Sequence, residues 1–208
     1  MTDAADTPDS RDTPGAGFLD EPETTPAVQR LYDEDVEDVG YVMNLSKVWA
    51  HDPEAQAGLS ALMSRGAGLA GLTFRQRGIL VTASASALGD AYCSLAWGDR
   101  LSGEAGADVA GAVLRGDDGL LDEQEQVLAR WARQVARDPN GTTAADVQAL
   151  RDAGFDDAQV FGITLFVAMR LAFSTVNDAL GAAPDRELGD SVPPAVREAV
   201  TFGRPVGG

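Results

Sequence analysis

The chain has 208 residues, of which 44 % are hydrophobic, so it is large and apolar enough to form one domain with a substantial core. Its formal net charge at pH 7 is −17, which disfavours binding to nucleic-acid phosphates and to anionic membrane surfaces. The single cysteine excludes an intramolecular disulfide, a CxxC redox pair and a cysteine-rich zinc site.

The N-terminal part of the chain predicts little structure. Residues 1–26 consist mainly of Asp, Thr, Pro, Gly and Ala, a composition typical of a disordered acidic tail. This tail has neither a basic region nor an apolar run, so no signal peptide is predicted. The most apolar stretch, residues 160–176, is interrupted by polar residues and is shorter than a typical membrane span. We therefore expect a cytoplasmic protein, with a first short helix over residues 25–32.

A second helical pattern runs from Tyr41 to His51, where apolar residues recur at helical spacing. Pro53 disfavours a helical conformation at the preceding residue and can itself begin the next helix. That next helix is expected to fray at residues 65–68, which include two glycines. His51 is the only histidine, and a histidine at a helix end more often partners the helix dipole than catalyses a reaction.

Residues 74–101 predict a pair of helices joined by one glycine. Thr73 and Gln76 have the spacing of a capping box at the start of the first helix. The small residues at positions 83–87 would let a neighbouring helix approach closely. Gly89 then interrupts the pattern and separates the first helix from the second.

The second helix of this pair contains the best candidate site. Asp90 can cap it, Cys93 follows three residues later, and Trp97 follows four residues after that. These spacings place a carboxyl group, a thiol and an indole on one helical face. Each residue also has an ordinary structural explanation, as an N-cap, a small buried hydrophobe and a core indole.

The C-terminal half predicts further helices, the longest of which is almost entirely apolar. Such a helix is expected to be buried on all sides, in a core or in a subunit interface. The segments are an amphipathic helix over 121–135, a turn at 138–141, a short helix from Thr143, the apolar helix from Asp156 to about Leu180, and one short helix over 195–202.

Arg170 lies inside the apolar helix and needs a carboxylate, a carbonyl or a route to water. It can be a structural arginine that is paired at an interface. It can also anchor the carboxylate of an anionic substrate, because a guanidinium group binds carboxylates in a bidentate manner. The sequence leaves both interpretations open.

The seven residues that end at Cys93, Ala-Leu-Gly-Asp-Ala-Tyr-Cys, carry a family resemblance. They resemble the L-N-G-C-x-Y-C core of the AhpD-like alkylhydroperoxidase and carboxymuconolactone decarboxylase family, whose peroxidase branch has the motif E-x11-C-x-x-C-x-x-x-H. Tyr92 and Cys93 match the tyrosine and the second cysteine. Asp90 stands in place of the first cysteine, Trp97 in place of the histidine, and Gly78 near the position of the glutamate.

The resemblance covers about residues 39–185. Its other motifs are an N-x6-H-x-P-E opening that includes Asn44 and His51, and an F-x-x-x-N-R ending in which Asp178 replaces the arginine. It implies an all-α AhpD-like fold of about seven to nine helices over residues 27–185, with residues 186–208 as a C-terminal extension. It also implies assembly into trimers or hexamers, which a monomer in light scattering would contradict.

The peroxidase cycle that the resemblance implies needs two sulfur atoms within disulfide reach and a base that lowers the pKa of a thiol. This chain has only one cysteine thiol, and the neighbouring Asp90 is expected to raise the pKa of Cys93. We therefore predict that the dithiol peroxidase cycle is absent.

Three functions remain. The first is cofactor-free acid–base chemistry on a small organic acid, with Asp90 as general base or acid. The second is a one-cysteine alkylhydroperoxidase-type oxidoreductase that uses Cys93 and an external thiol, and the third is a catalytically silent structural or binding homologue. No metal or cofactor is predicted. The candidate catalytic residues are Asp90 and Cys93, and the candidate substrate pocket consists of Trp97, Tyr92, Ser86, His51 and Arg170.

Overall fold

A computed structural model describes residues 17–207, and this part of the chain is helical without any β-strand. The predicted all-α fold class is confirmed. Eight helices have nine or more residues, in agreement with the predicted number, and three shorter helices add to them. The helices are α1 (Pro26–Val39), α2 (Asn44–Trp49), α3 (Pro53–Ala70), α4 (Phe74–Leu88), α5 (Ala91–Ala105), α6 (Ala107–Arg115), α7 (Glu123–Arg137), α8 (Ala144–Asp152), α9 (Asp157–Ala179), α10 (Arg186–Ser191) and α11 (Pro194–Ala199).

The helix starts follow local sequence signals closely. The predicted capping box of α4 is present, since the Thr73 side chain accepts from the backbone of Gln76 and the Gln76 side chain accepts from the backbone of Thr73. Equivalent boxes begin α7, α8 and α9. Gly89 ends α4 with a φ of +85°, a conformation that glycine adopts without strain. These signals fix where the α4–α5 pair begins and turns.

Helix α4 is the centre of the fold. It packs against α5, α6, α7 and α9, and every residue from Gly78 to Ala85 is buried. Small side chains allow this arrangement, because a Cβ atom at Gly78 would lie 3.2 Å from Leu101 of α5. The tight packing of α5 on α4 fixes the position of the residues that α5 presents to the interior.

Helices α3 and α9 form the most extensive contact, and they cross where two glycines meet. A Cβ atom at Gly66 would lie 2.9 Å from the carbonyl oxygen of Gly162, and one at Gly162 would lie 2.8 Å from that of Gly66. The predicted fraying at residues 65–68 is therefore wrong. The helix continues to Ala70 because backbone contact with α9 outweighs the low helix propensity of glycine.

Helix α9 is long and apolar enough to span a membrane by length and composition, a test that the core helices of water-soluble proteins also pass. It packs against α3, α4, α7 and α8, which accounts for much of its apolar character. Burial on all sides is not observed within this single chain, because Phe161 is 62 % exposed and Ala172 is also exposed.

Both ends of the described part of the chain pack more closely than the sequence suggested. Helix α1 extends to Val39 instead of ending near residue 32. Part of the predicted tail is placed on the fold, since the Phe18 N–H donates to the Leu180 carbonyl at 2.8 Å; residues 1–16 of that tail lie outside the described residues. Two short helices, α10 and α11, follow residue 185 where one was predicted, and α11 packs on α6 and α5 with Val196 fully buried.

Candidate functional site

The turn between α4 and α5 carries a buried carboxyl group. Asp90 is completely buried, and its Oδ1 accepts a hydrogen bond of 2.9 Å from the backbone N–H of Cys93. This bond is the predicted N-cap of α5. The second oxygen, Oδ2, has no hydrogen-bond partner within residues 17–207. One oxygen thus fixes the orientation of the carboxyl group, while the other is buried and makes no hydrogen bond within the described residues.

The thiol of Cys93 lies in the interior, next to the long helix α9. Its Sγ accepts hydrogen bonds from Arg170 Nη2 at 3.3 Å and from Ser174 Oγ at 3.5 Å. Burial, and then the charge of Asp90, raise the pKa of Cys93 to about 12, although the charge of Arg170 acts in the opposite direction. The thiol is therefore protonated at neutral pH.

Arg170 is a buried residue, 9 % exposed, and its guanidinium group makes unusual contacts for a buried charge. Besides Cys93, it approaches Met63 Sδ at 3.8 Å, and its carbon atom lies 5.2 Å and 5.1 Å from the ring centroids of Trp97 and Phe173. Its Nε has no partner, and none of its contacts within the described chain is with a carboxylate. Cation–π and sulfur contacts stabilise the charge only in part.

The wall behind Arg170 consists of residues that the sequence did not predict to be part of a site. Trp49 donates a hydrogen bond of 2.8 Å from Nε1 to Asn177 Oδ1, and its ring stacks on Phe173 at 5.3 Å. Asn177 Nδ2 is buried without a partner in the described residues. Ser174 and Asn177 follow Arg170 by four and seven residues on α9, so helical spacing from Arg170 could have found them.

The structure brings together four of the seven candidate residues and leaves three apart. Asp90, Cys93, Trp97 and Arg170 converge, as described above. Tyr92 faces another direction, and its hydroxyl donates a hydrogen bond to Asp185. Burial, and then the charge of Asp185, raise the pKa of Tyr92. The two remaining candidates are Ser86, whose hydroxyl donates to the Ala83 carbonyl, and His51, which is exposed and contacts the Asp20 carbonyl.

Asp178 lies at the edge of this site and provides a pH-dependent test of its electrostatics. Burial and the charge of Asp90 raise the pKa of Asp178 from 3.8 to about 6, although Arg204 opposes the shift. The folded state therefore binds the proton more tightly than the unfolded state. The stability that this proton provides is complete below about pH 4 and is lost as the pH rises through 6.

Asp178→Asn removes this ionisation and keeps the shape of the side chain. We expect the melting temperature of the variant to exceed that of the wild type at pH 7.5, with a much smaller difference at pH 4. Differential scanning calorimetry at the two pH values measures both differences. An equal difference at both pH values would contradict the raised pKa.

The arrangement limits the chemistry that the site can perform. One protonated thiol cannot form a disulfide within the site, whereas the site offers a carboxyl oxygen and a guanidinium group without complete partners. Within residues 17–207, no three His, Cys, Asp or Glu side chains come close enough together to hold a metal ion. The donor set thus suits a small anion and a proton transfer.

The helix order and the α4–α5 pair together define an AhpD-like helical fold. No protein-family model matches the chain, and no curated protein matches its sequence. Solved structures do match, and their TM-scores of 0.64 to 0.71, at sequence identities of 13 to 22 %, show a common fold.

Two of these structures are peroxidase-related proteins of uncharacterised function. The protein from Silicibacter sp. TM1040 has a TM-score of 0.71 and 21 % identity, and the match covers 83 % of this chain and 94 % of that one. The AhpD-core protein from Ralstonia eutropha JMP134 has a TM-score of 0.69 and 22 % identity, with the same coverage. The debrominase Bmp8, solved as a cysteine-to-alanine variant with 2,3,4-tribromopyrrole, has a TM-score of 0.64 and 13 % identity, with 84 % and 90 % of the two chains covered.

Proposed function

We propose that this AhpD-like protein performs cofactor-free acid–base chemistry on a small organic acid. The observation that carries the proposal is the buried guanidinium group of Arg170, which lacks a carboxylate partner within the described residues. An unpaired buried charge is costly, and a ligand carboxylate in bidentate contact would compensate it. A debrominase with this fold binds a tribromopyrrole, which is consistent with a fold that can accommodate small organic molecules.

In this proposal Asp90 transfers the proton. The hydrogen bond from the Cys93 backbone holds Oδ1, so Oδ2 points in a fixed direction and can accept or return a proton. The protonated thiol of Cys93 fills the space between Asp90 and Arg170 without acting as a nucleophile. Trp97 covers the guanidinium group and is itself partly exposed, so a ligand would reach Arg170 past this ring.

Binding of simple carboxylates tests the proposal. Acetate, pyruvate, succinate and benzoate are titrated into the wild type and into Arg170→Met, which keeps an apolar chain of similar length. We expect at least one of the acids to bind saturably to the wild type, and its affinity to fall about tenfold or more in the variant, the loss expected for a charge-assisted bidentate pair. Absence of saturable binding to the wild type would contradict the proposal.

Turnover of the acid that binds assigns the proton transfer. Asp90→Asn is the appropriate variant, because asparagine is also a strong N-cap and should preserve α5. We expect Asp90→Asn to abolish turnover and Cys93→Ala to retain it. The opposite result would assign the chemistry to the thiol.

A one-cysteine peroxidase is the second candidate, and the contact of 3.3 Å between Arg170 and Cys93 Sγ favours it, since a guanidinium group stabilises a thiolate. The raised pKa and the burial of Cys93 weigh against it. Consumption of a hydroperoxide with dithiothreitol, lost in Cys93→Ala, would establish this function. A protein that neither binds an acid nor consumes peroxide would be a silent homologue.

We also propose that the protein assembles into a homo-oligomer and acts in the cytoplasm. The exposed side of α9 supports assembly, because Phe161, Leu165, Ala168 and Ala172 follow one another at helical spacing and remain at least partly exposed. Light scattering at micromolar concentration tests the assembly, and a monomer would contradict it.

A further inference from the structure

A cleft between α6, α7 and α8 concentrates positive charge in a strongly acidic protein. The cleft has a volume of about 670 Å³ and is lined by Arg115, Arg130, Arg133 and Arg137. These are four of the 16 basic residues in a chain with 33 acidic residues. Only two acidic side chains, Asp118 and Asp146, are among its lining residues. We call this feature the arginine cleft.

Both acidic side chains of the arginine cleft are already engaged. Asp118 accepts two hydrogen bonds from Arg133, of 2.7 Å and 2.9 Å, and Arg133 also donates to the Val113 carbonyl. Asp146 accepts from the backbone and the hydroxyl of Thr143, in the capping box of α8. Asp118 and Arg133 thus form a structural ion pair, and Asp146 stabilises a helix start.

Three of the arginines that line the cleft form no ion pair with an acidic side chain among the described residues. Arg130 and Arg137 lie two turns apart on α7, and Arg115 lies at the end of α6. Like charges that line one concavity repel each other unless a counter-charge enters it.

We propose that the arginine cleft binds a small ligand that carries two or more phosphate groups. Three arginines without an acidic partner exceed what one carboxylate can satisfy, whereas a diphosphate offers several oxygen atoms to bidentate donors. The volume of the cleft lies within the usual range of small-molecule sites. Val127 and the edge of Trp131 add an apolar wall that can accept the organic part of such a ligand. The arginine cleft is separate from the site at Arg170, and neither proposal depends on the other.

Calorimetric titration of the full chain with inorganic pyrophosphate at low ionic strength tests this site. The variant is the double substitution Arg130→Ala and Arg137→Ala, at exposed positions where alanine favours the helix. The matched control is Arg65→Ala with Arg186→Ala, which removes the same charge from exposed positions outside the cleft. Circular dichroism verifies that both double variants are folded.

We expect one saturable site in the wild type, an affinity reduced about tenfold or more in the cleft variant, and an affinity within about twofold of the wild type in the control. Titrations with ADP and adenosine then distinguish the sources of phosphate. Tighter binding of ADP than of pyrophosphate indicates a nucleotide, and equal binding indicates that the phosphate groups alone are recognised. No saturable binding, equal losses in both double variants, or binding of an acidic peptide in place of pyrophosphate would overturn the proposal.

Discussion

The folded protein should react with iodoacetamide at pH 8 about a hundredfold or more slowly than the same chain unfolded in guanidinium chloride. With a pKa of about 12 instead of the ordinary 9.0, the thiolate of Cys93 is about a thousandfold less populated at this pH. A more basic thiolate is also more nucleophilic, which offsets part of the difference in reaction rate between the folded and the unfolded chain. Burial of the sulfur slows the reaction of the folded chain again. Because Cys93 is the only cysteine, mass spectrometry of the intact protein measures its reaction directly.

Two variants separate the causes of this low reactivity. Asp90→Asn removes the negative charge that raises the pKa of Cys93, so its alkylation should be faster than that of the wild type. Arg170→Met removes the charge that lowers this pKa, so alkylation should be slower still. If the folded wild type reacts as fast as the unfolded chain, the thiol is accessible and ionised, and the one-cysteine peroxidase becomes the better function.

The parts of the fold that were predictable from sequence are those that depend on neighbouring residues. The capping box at Thr73, the N-cap at Asp90 and the start of the long helix at Asp156 were predicted, and each is present. A hydrogen bond between a side chain and a backbone group three residues away requires no knowledge of the rest of the chain. The common face of Asp90, Cys93 and Trp97 was predictable for the same reason.

Contacts between distant segments were not predictable in this way. Arg170 was identified as a charge that needs a partner, but its contact with Cys93 joins positions 77 residues apart in the chain. The hydrogen bond between Trp49 and Asn177 spans 128 residues. His51 was considered because of the family resemblance, yet the short helix α2 ends at Trp49 and leaves His51 on the surface. Helix packing, which a single sequence does not specify, decided these positions.

The glycine contact between α3 and α9 should dominate the stability of the fold. A Cβ atom at Gly66 would lie 2.9 Å from the backbone of Gly162 and from the backbone nitrogen of Phe166. Backbone atoms cannot rotate away as a side chain can, so the two helices must separate. We expect Gly66→Val to cost about 3 kcal/mol or more and to lower the melting temperature by about 10 °C, as measured by circular dichroism.

Two other glycines of α3 provide the control for this experiment. No atom lies within 4 Å of a Cβ placed at Gly58 or Gly68, so alanine should fit at both positions. Each of these alanine variants should gain about 0.5–1 kcal/mol, because alanine restricts the unfolded chain and favours the helix. Equal stability of Gly66→Val and Gly68→Ala would mean that α3 and α9 do not approach each other this closely.

The same contact connects the fold to the candidate site. Gly162 precedes Arg170 by eight residues on α9, a distance of about 12 Å along a helix. A side chain at position 66 pushes α9 away from α3, which contributes Met63 to the surroundings of Arg170. The milder variant Gly66→Ala should therefore remain folded but reduce the burial of Cys93, which is the largest cause of its raised pKa. We expect its thiol to be alkylated faster than that of the wild type, whereas Gly68→Ala should leave the rate unchanged. Identical rates in the two variants would show that the packing of α3 on α9 does not control the environment of Cys93.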